Sequence, residues 1–139
     1  MRRSAAARMT LLDTSGIVAL ANGRDPYHAR AEAAMERCLA EGEELLIHNY
    51  IVAEAAAVLQ RRIGNRPALA FLEQVASFEM HWLTPEDHAE AVDLFVRRNR
   101  RGPSLVDCAS FVVMRRYGVT HALAFDPDFE REGFAVYGG

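Results

Sequence analysis

A short apolar run, Met9-Thr-Leu-Leu12, stops at Asp13, and after Thr14, Ser15 and Gly16 a second apolar segment, Ile17-Val-Ala-Leu20, begins. That pattern predicts a buried strand, a tight turn and the start of a helix. Asp13 then stands at the carboxyl end of the strand, where open α/β sheets hold their ligands. An aspartate there also suits helix N-capping, so this position alone leaves both roles open.

The same alternation runs down the chain. Asp25-Pro26 reads as an N-cap with proline at the first helical position, opening a helix to about Ala40 whose apolar stripe is Ala31, Ala34, Met35 and Leu39. Residues 44–47 form a second strand, and His48-Asn49 leads into a helix over about 50–62 that ends at Gly64. A helix over 66–77 turns Leu69, Phe71, Leu72 and Val75 inward, and residues 79–83 make a third strand with Trp82 in the core. Thr84-Pro-Glu-Asp87 is a capping box for a helix to about Arg98, and Ser104 opens another that Gly118 closes. Strands at 121–125 and 134–137 flank a turn or short helix at 126–129. Strands alternating with helices imply an α/β fold with a parallel sheet covered on both faces.

Composition bounds the alternatives. With 139 residues, half of them apolar, the chain suits one compact domain over 9–139, preceded by a loose basic tail at 1–8. Met9 stands directly before the first strand, so Met1 and Met9 are both candidate starts. The net charge of -3 gives no overall basic field, two cysteines suit a reducing cytoplasm, and no apolar run approaches membrane-spanning length. The tail lacks the apolar core of a signal peptide.

Four acids are the candidates for chemistry. Asp13 and Asp126 each terminate a strand, while Glu54 and Asp107 lie in the first turns of helices. In a parallel sheet with right-handed crossovers, all four face one edge, and Asp128 is close enough to join them. Each has an ordinary reading as well. Glu54 lies on an apolar helix stripe with Tyr50, Ile51, Ala57 and Val58 and could reach water or Arg61; Ser104-Leu-Val-Asp107 resembles a capping box; Asp126 precedes Pro127 as an N-cap would. Taken together, crowded carboxylates raise one another's pKa, and a hard divalent cation relieves the conflict. Such a site activates water and neutralises a phosphodiester.

All sixteen basic residues are arginine. Without a lysine, phospho-receiver and aspartyl-phosphate chemistry is disfavoured, and no Gly-rich phosphate loop is present. Metal-dependent phosphodiester hydrolysis requires neither.

The segments Leu-Leu-Asp13-Thr-Ser-Gly, Ile-Val-Ala-Glu54, Ser-Leu-Val-Asp107-Cys-Ala and Ala-Phe-Asp126-Pro-Asp128-Phe, in this order, resemble the PIN domain, specifically the VapC-type toxins of toxin–antitoxin pairs. The resemblance covers Met9 to Tyr137. It implies a three-layer α/β/α sandwich with a parallel central sheet, and a Mg²⁺- or Mn²⁺-dependent endoribonuclease that cuts RNA with water activated at the metal. By position, Asp13, Glu54, Asp107 and Asp126 make the acidic quartet. Asp13 and Asp107 are then the principal metal ligands with Asp126 nearby, and Glu54 holds the attacking water or acts as a base through it. Ser15 and Ser104 hydrogen-bond behind the ligands, and either Asp126 or Asp128 is the closer ligand. The resemblance also implies a homodimer and a VapB-like antitoxin partner. Ala124 departs from the pattern, which often has a hydroxyl two residues before Asp126.

Arg97, Arg98, Arg100 and Arg101 could grip RNA phosphates, although cations also stabilise a helix C-terminus. Arg61, Arg62 and Arg66 form a weaker candidate patch. Cys108 reads as a small packed residue, and His48, His81, His88 and His121 lack metal-ligand spacing. A PIN scaffold that binds RNA or a protein without cutting is the alternative function. A DNA flap nuclease would need helical segments that a chain of this length lacks.

Overall fold

The computed structural model describes residues 8–98 and 102–137. The elements run β1 (Arg8–Leu12), α1 (Thr14–Ala21), α2 (His28–Ala40), β2 (Glu43–His48), α3 (Asn49–Ile63), α4 (Asn65–Gln74), β3 (Glu79–His81), α5 (Pro85–Arg97), α6 (Leu105–Tyr117), β4 (His121–Leu123), α7 (Asp128–Arg131) and β5 (Ala135–Tyr137). The strands form one sheet in the order β3-β2-β1-β4-β5, with every pair parallel. The chain thus starts in the middle of the sheet, winds to one edge, and returns to the other side of β1. The reversal makes a switch point between β1 and β4, the crevice in which parallel α/β sheets bind ligands.

Consecutive residues Leu45, Leu46, Ile47 and His48 of β2 are all buried, so both faces of the sheet are covered. Leu46 pairs with Leu11 in register. His48, two residues further and on the same face, reaches Ser110 of α6, with Nε2 and Oγ 2.8 Å apart. This places α6 over that face, where Phe111 packs edge-on against Phe129. On the opposite face Cys38 of α2 is buried, and Leu12 shares an apolar cavity with Met35 of α2 and Phe71 of α4. The result is the expected α/β/α sandwich.

Gly16 sets the fit of α1 against the sheet. A β-carbon there would stand 2.6 Å from the Leu123 carbonyl oxygen and 2.8 Å from a Leu123 methyl. Only glycine lets the first turn of α1 lie directly on the end of β4.

Local expectations fail where a side chain redirects the backbone. The Asp25 carboxylate accepts from the Tyr27 amide at 2.8 Å, so Asp25-Pro26 makes a turn and α2 begins at His28 rather than Pro26. The inward stripe of α2 is Ala31, Ala34 and Cys38; Leu39 is exposed. Likewise α4 buries Ala68 and Phe71 and leaves Leu69 and Leu72 outside, and residues 75–77 form a separate 3₁₀ turn. Strand β3 stops at His81, and the Leu83 amide donates to Asn49 Oδ1 at 2.8 Å, drawing the chain off the sheet. Trp82 therefore sits in the exit, 70% exposed, and is not a core residue. Strand β1 also takes in Arg8, whose guanidinium pairs with Glu43 at 2.9 Å, one residue earlier than expected.

Candidate active site

Asp13 follows β1 directly, and its amide donates to the Leu123 carbonyl of β4 at 3.2 Å. It caps α1, with Oδ2 accepting from the Ser15 amide at 3.1 Å and from the Ser15 hydroxyl at 2.6 Å. Asp107 closes the capping box of α6: Ser104 Oγ accepts from the Asp107 amide at 3.1 Å, and Asp107 Oδ2 accepts from the Ser104 amide at 3.0 Å. Capping and site membership are therefore not alternatives. The cap fixes the carboxylate in place, and the placement puts it in the crevice.

Asp126 Oδ1 accepts from the Asp128 amide at 2.9 Å, and Asp128 Oδ1 pairs with Arg131 at 3.0 Å. Each of the four aspartates thus uses one oxygen for a structural bond. Among the described residues, none of these bonds engages the other oxygen. Carboxylate oxygens of Asp107, Asp126 and Asp128 lie within 4.8 Å of one another. Asp13 stands outside that tight trio but shares with Glu54, Asp107, Asp126 and Ser104 the wall of an open cleft of about 450 Å³.

Electrostatics ties the group together. Burial pushes the Asp13 carboxyl up to about 6, with Asp126 and Glu54 adding to the rise against the lowering effect of Ser15. Asp107 is pushed up to about 7, first by burial and then by Asp13 and Asp126. Among the described residues no cation neutralises these two carboxylates by a salt bridge. Oxygen donors alone, close-packed, partly dehydrated and each pre-oriented through one oxygen, are what a hard divalent cation such as Mg²⁺ or Mn²⁺ requires.

Glu54 reaches the cleft from α3, whose start is pinned by His48. The His48 Nδ1 accepts from the Ile51 amide at 3.3 Å, so Nε2 carries the proton and donates to Ser110. One buried imidazole thereby joins the helix of Glu54 to the helix of Asp107. Burial, more than the neighbouring His81, holds its pKa down at about 3, so it is neutral.

The sequence model of the PIN domain matches residues 10–135. This chain belongs to the PIN-domain family. Similar proteins include the 23S rRNA-specific endonuclease VapC20 of two Mycobacterium tuberculosis strains, CDC 1551 / Oshkosh and ATCC 25618 / H37Rv. Each is 32% identical over 128 residues, covering 91% of this chain and 95% of the relative. The crystal structure of M. tuberculosis VapC20, described as a Sarcin-Ricin loop cleaving toxin, superposes with a TM-score of 0.80 at 32% identity, covering 91% of this chain and 96% of that one. The PIN domain is accordingly of the VapC toxin type and an endonuclease.

Within this PIN domain, the sequence-predicted Asp13, Glu54, Asp107, Asp126, Ser15 and Ser104 come together in one cleft, with Asp128 beside them. Of the predicted arginine grip, the described Arg97 and Arg98 do not line this cleft. Arg97 pairs with Asp93 at 3.3 Å, and Arg98 pairs with Glu132, which also binds Arg115 at 2.9 Å. Arg100 and Arg101 lie outside the described residues. Arg62, from the weaker patch, is the arginine that lines the cleft. Ala124 is buried in the core, and at this end of the sheet Ser15 Oγ accepts from the Phe125 amide at 3.0 Å. Sequence reasoning missed Tyr27 and Phe125 in the cleft wall. Phe125 could have been flagged as the neighbour of Asp126; Tyr27, in an irregular turn, gave no periodic signal.

Proposed function

We propose that this endonuclease is Mg²⁺- or Mn²⁺-dependent and cuts a structured RNA, with Asp13, Asp107 and Asp126 as metal ligands and Asp128 as their immediate support. The observation that carries the reading is the set Asp13, Asp107 and Asp126 in one cleft with Asp128 beside them, each held by one oxygen, with Asp13 and Asp107 raised by burial and by neighbouring carboxylates. When bound, the cation supplies positive charge that acidifies water and offsets the charge developing on the phosphodiester.

The chain's own residues then have separable tasks. Glu54 orients the attacking water and takes its proton, while a new bond forms to phosphorus, the bond to the leaving ester oxygen breaks in line, and that oxygen takes a proton from solvent. Ser15 and Ser104 hold Asp13 and Asp107 in their rotamers. Arg62 is the cleft cation placed to contact a phosphate of the bound strand. Because the similar M. tuberculosis VapC20 is a 23S rRNA-specific endonuclease and a Sarcin-Ricin loop cleaving toxin, a sarcin–ricin stem-loop is the first substrate to offer.

We further infer a homodimer, a VapB-like antitoxin and a cytoplasmic setting. Exposed Leu69, Leu72, Phe95 and Val96, with an apolar cleft of about 380 Å³ lined by Leu20, Met35, Phe71 and Phe78, offer surface for protein partners. No helix among the described residues is long and apolar enough to cross a membrane. The test is incubation of partner-free protein with a sarcin–ricin stem-loop in Mg²⁺, Mn²⁺ or EDTA. Discrete cuts only with metal are expected; metal-indifferent cutting or none contradicts the reading.

A further inference from the structure

The cleft wall also carries an aromatic pair with no part in the metal chemistry. Tyr27, from the turn between α1 and α2, stacks on Phe125, from the segment between β4 and α7, with ring centroids 4.6 Å apart and planes 12° from parallel. Tyr27 is nevertheless 42% exposed. The guanidinium carbon of Arg30 stands 5.2 Å from the Tyr27 centroid and 5.5 Å from that of Phe125. These near-equal distances make almost an equilateral triangle with the ring-to-ring separation. Arg30 therefore flanks the pair; a group covering the outer face of Tyr27 would be much farther from Phe125 than from Tyr27.

Both rings are tied to the carboxylates. The Phe125 amide donates to Ser15 Oγ at 3.0 Å, Ser15 Oγ donates to Asp13 Oδ2 at 2.6 Å, and Asp126 is the next residue in the chain. The Tyr27 amide is fixed by Asp25 at 2.8 Å. Tyr27, Phe125, Asp13, Glu54 and Asp126 all line one cleft.

Charge shows what such a pair is for. Carboxylates line the cleft, so away from Arg62 and a bound cation phosphates are repelled, and further affinity comes from another part of the nucleotide. An aromatic face binds any unpaired base by stacking, without needing charge. RNA loops present such splayed bases, whereas paired stems do not. A ring already backed by a second ring loses little freedom when a base is added.

We propose that the outer face of Tyr27, backed by Phe125, is a subsite that stacks an unpaired RNA base next to the phosphate being cut. The proposal rests on the endoribonuclease reading above. It commits the substrate to a loop or single strand and gives Tyr27 a binding role, not a role in the bond-breaking step.

The experiment uses the full chain and a stem-loop RNA carrying 2-aminopurine at successive loop positions, titrated in Ca²⁺, with cleavage then measured in Mn²⁺. With wild-type protein, 2-aminopurine at one loop position should be quenched on binding. Tyr27→Leu should abolish that quench, weaken binding and raise KM roughly tenfold, with little change in kcat; Tyr27→Phe should restore the quench and most of the affinity. If Tyr27→Leu does not fold, Tyr27→Trp decides the matter, because its added indole emission should fall on RNA binding. Quenching and KM unchanged in Tyr27→Leu, or indole emission unmoved in Tyr27→Trp, overturns the subsite. A wild type that quenches the loop base yet cuts nothing supports the subsite and removes the endoribonuclease reading. A wild type that cuts while Tyr27→Leu matches it removes the subsite alone.

Discussion

Ser15 and Phe125, from opposite ends of the chain, share one hydroxyl: Ser15 Oγ accepts from the Phe125 amide at 3.0 Å and donates to Asp13 Oδ2 at 2.6 Å. The bond crosses from the first turn of α1 to the segment after β4, spanning the switch point of the sheet. One oxygen therefore fixes both the first carboxylate and the approach to Asp126. Ser15→Ala would strand the amide and free the carboxylate. We expect a stability loss of about 1–3 kcal/mol in urea unfolding and a drop in metal affinity of roughly 10–100-fold by calorimetric titration. An unchanged metal affinity would show that Asp13 does not need this anchor.

Gly16→Ala tests the close approach of α1 to β4. The added methyl meets the Leu123 backbone oxygen, which cannot swing aside as a side chain would. Overpacking of this kind costs about 1–3 kcal/mol, and here it also moves Asp13 away from Asp126. Lower melting temperature together with lower cleavage is expected; a variant as stable as the parent would mean that α1 has slack against the sheet.

With the proposed metal role, the raised carboxyls make cation binding compete with protons. Asp107 at about 7 and Asp13 at about 6 are largely protonated below those values in the metal-free protein, so cation affinity should climb as pH rises from about 5 to about 8. The linked stability runs the other way without metal. Both folded pKa values lie above the ordinary carboxylate value, so the stabilisation is full below about 4 and is lost as pH rises through 6 to 7. Urea midpoints in EDTA across that range, with Asp107→Asn as the comparison, check it: the variant should show the shallower fall.

His48 contributes the opposite slope. Its folded pKa of about 3 lies below the ordinary 6.5, so its share of stability is full above about 6.5 and is lost as pH falls toward 3. In His48→Gln the acid-side loss should flatten, and stability at neutral pH should fall by about 1–3 kcal/mol through the lost tie to Ser110. An acid limb identical to that of the parent would mean that another group dominates it.

The parallel sheet and its acids were legible because apolar runs ended in Asp13 and near Asp126, and because Ser104 and Asp107 stood at capping-box spacing. Those signals are local. Trp82, Leu39, Leu69 and Leu72 were misplaced because hydrophobicity alone does not say which face an element turns inward. That depended on Asn49 drawing Leu83 off the sheet and on Ala68 and Phe71, not their leucine neighbours, meeting the core. The Tyr27–Phe125 stack was invisible for a related reason. It joins an irregular turn to a strand exit, and no periodicity links two such segments.

We propose the cleft of Asp13 and Asp107 as a metal-dependent ribonuclease site. The most direct measurement is single-turnover cleavage of a sarcin–ricin stem-loop in Mn²⁺ by partner-free wild type, Asp13→Asn and Asp107→Asn, each also in EDTA. The expected result is discrete cutting by the wild type with metal, none in EDTA, and in both variants a loss exceeding the roughly 10–100-fold typical of residues behind the ligands. Folded variants that cut as fast as the wild type, or wild-type cutting that survives EDTA, would contradict the assignment of this cleft.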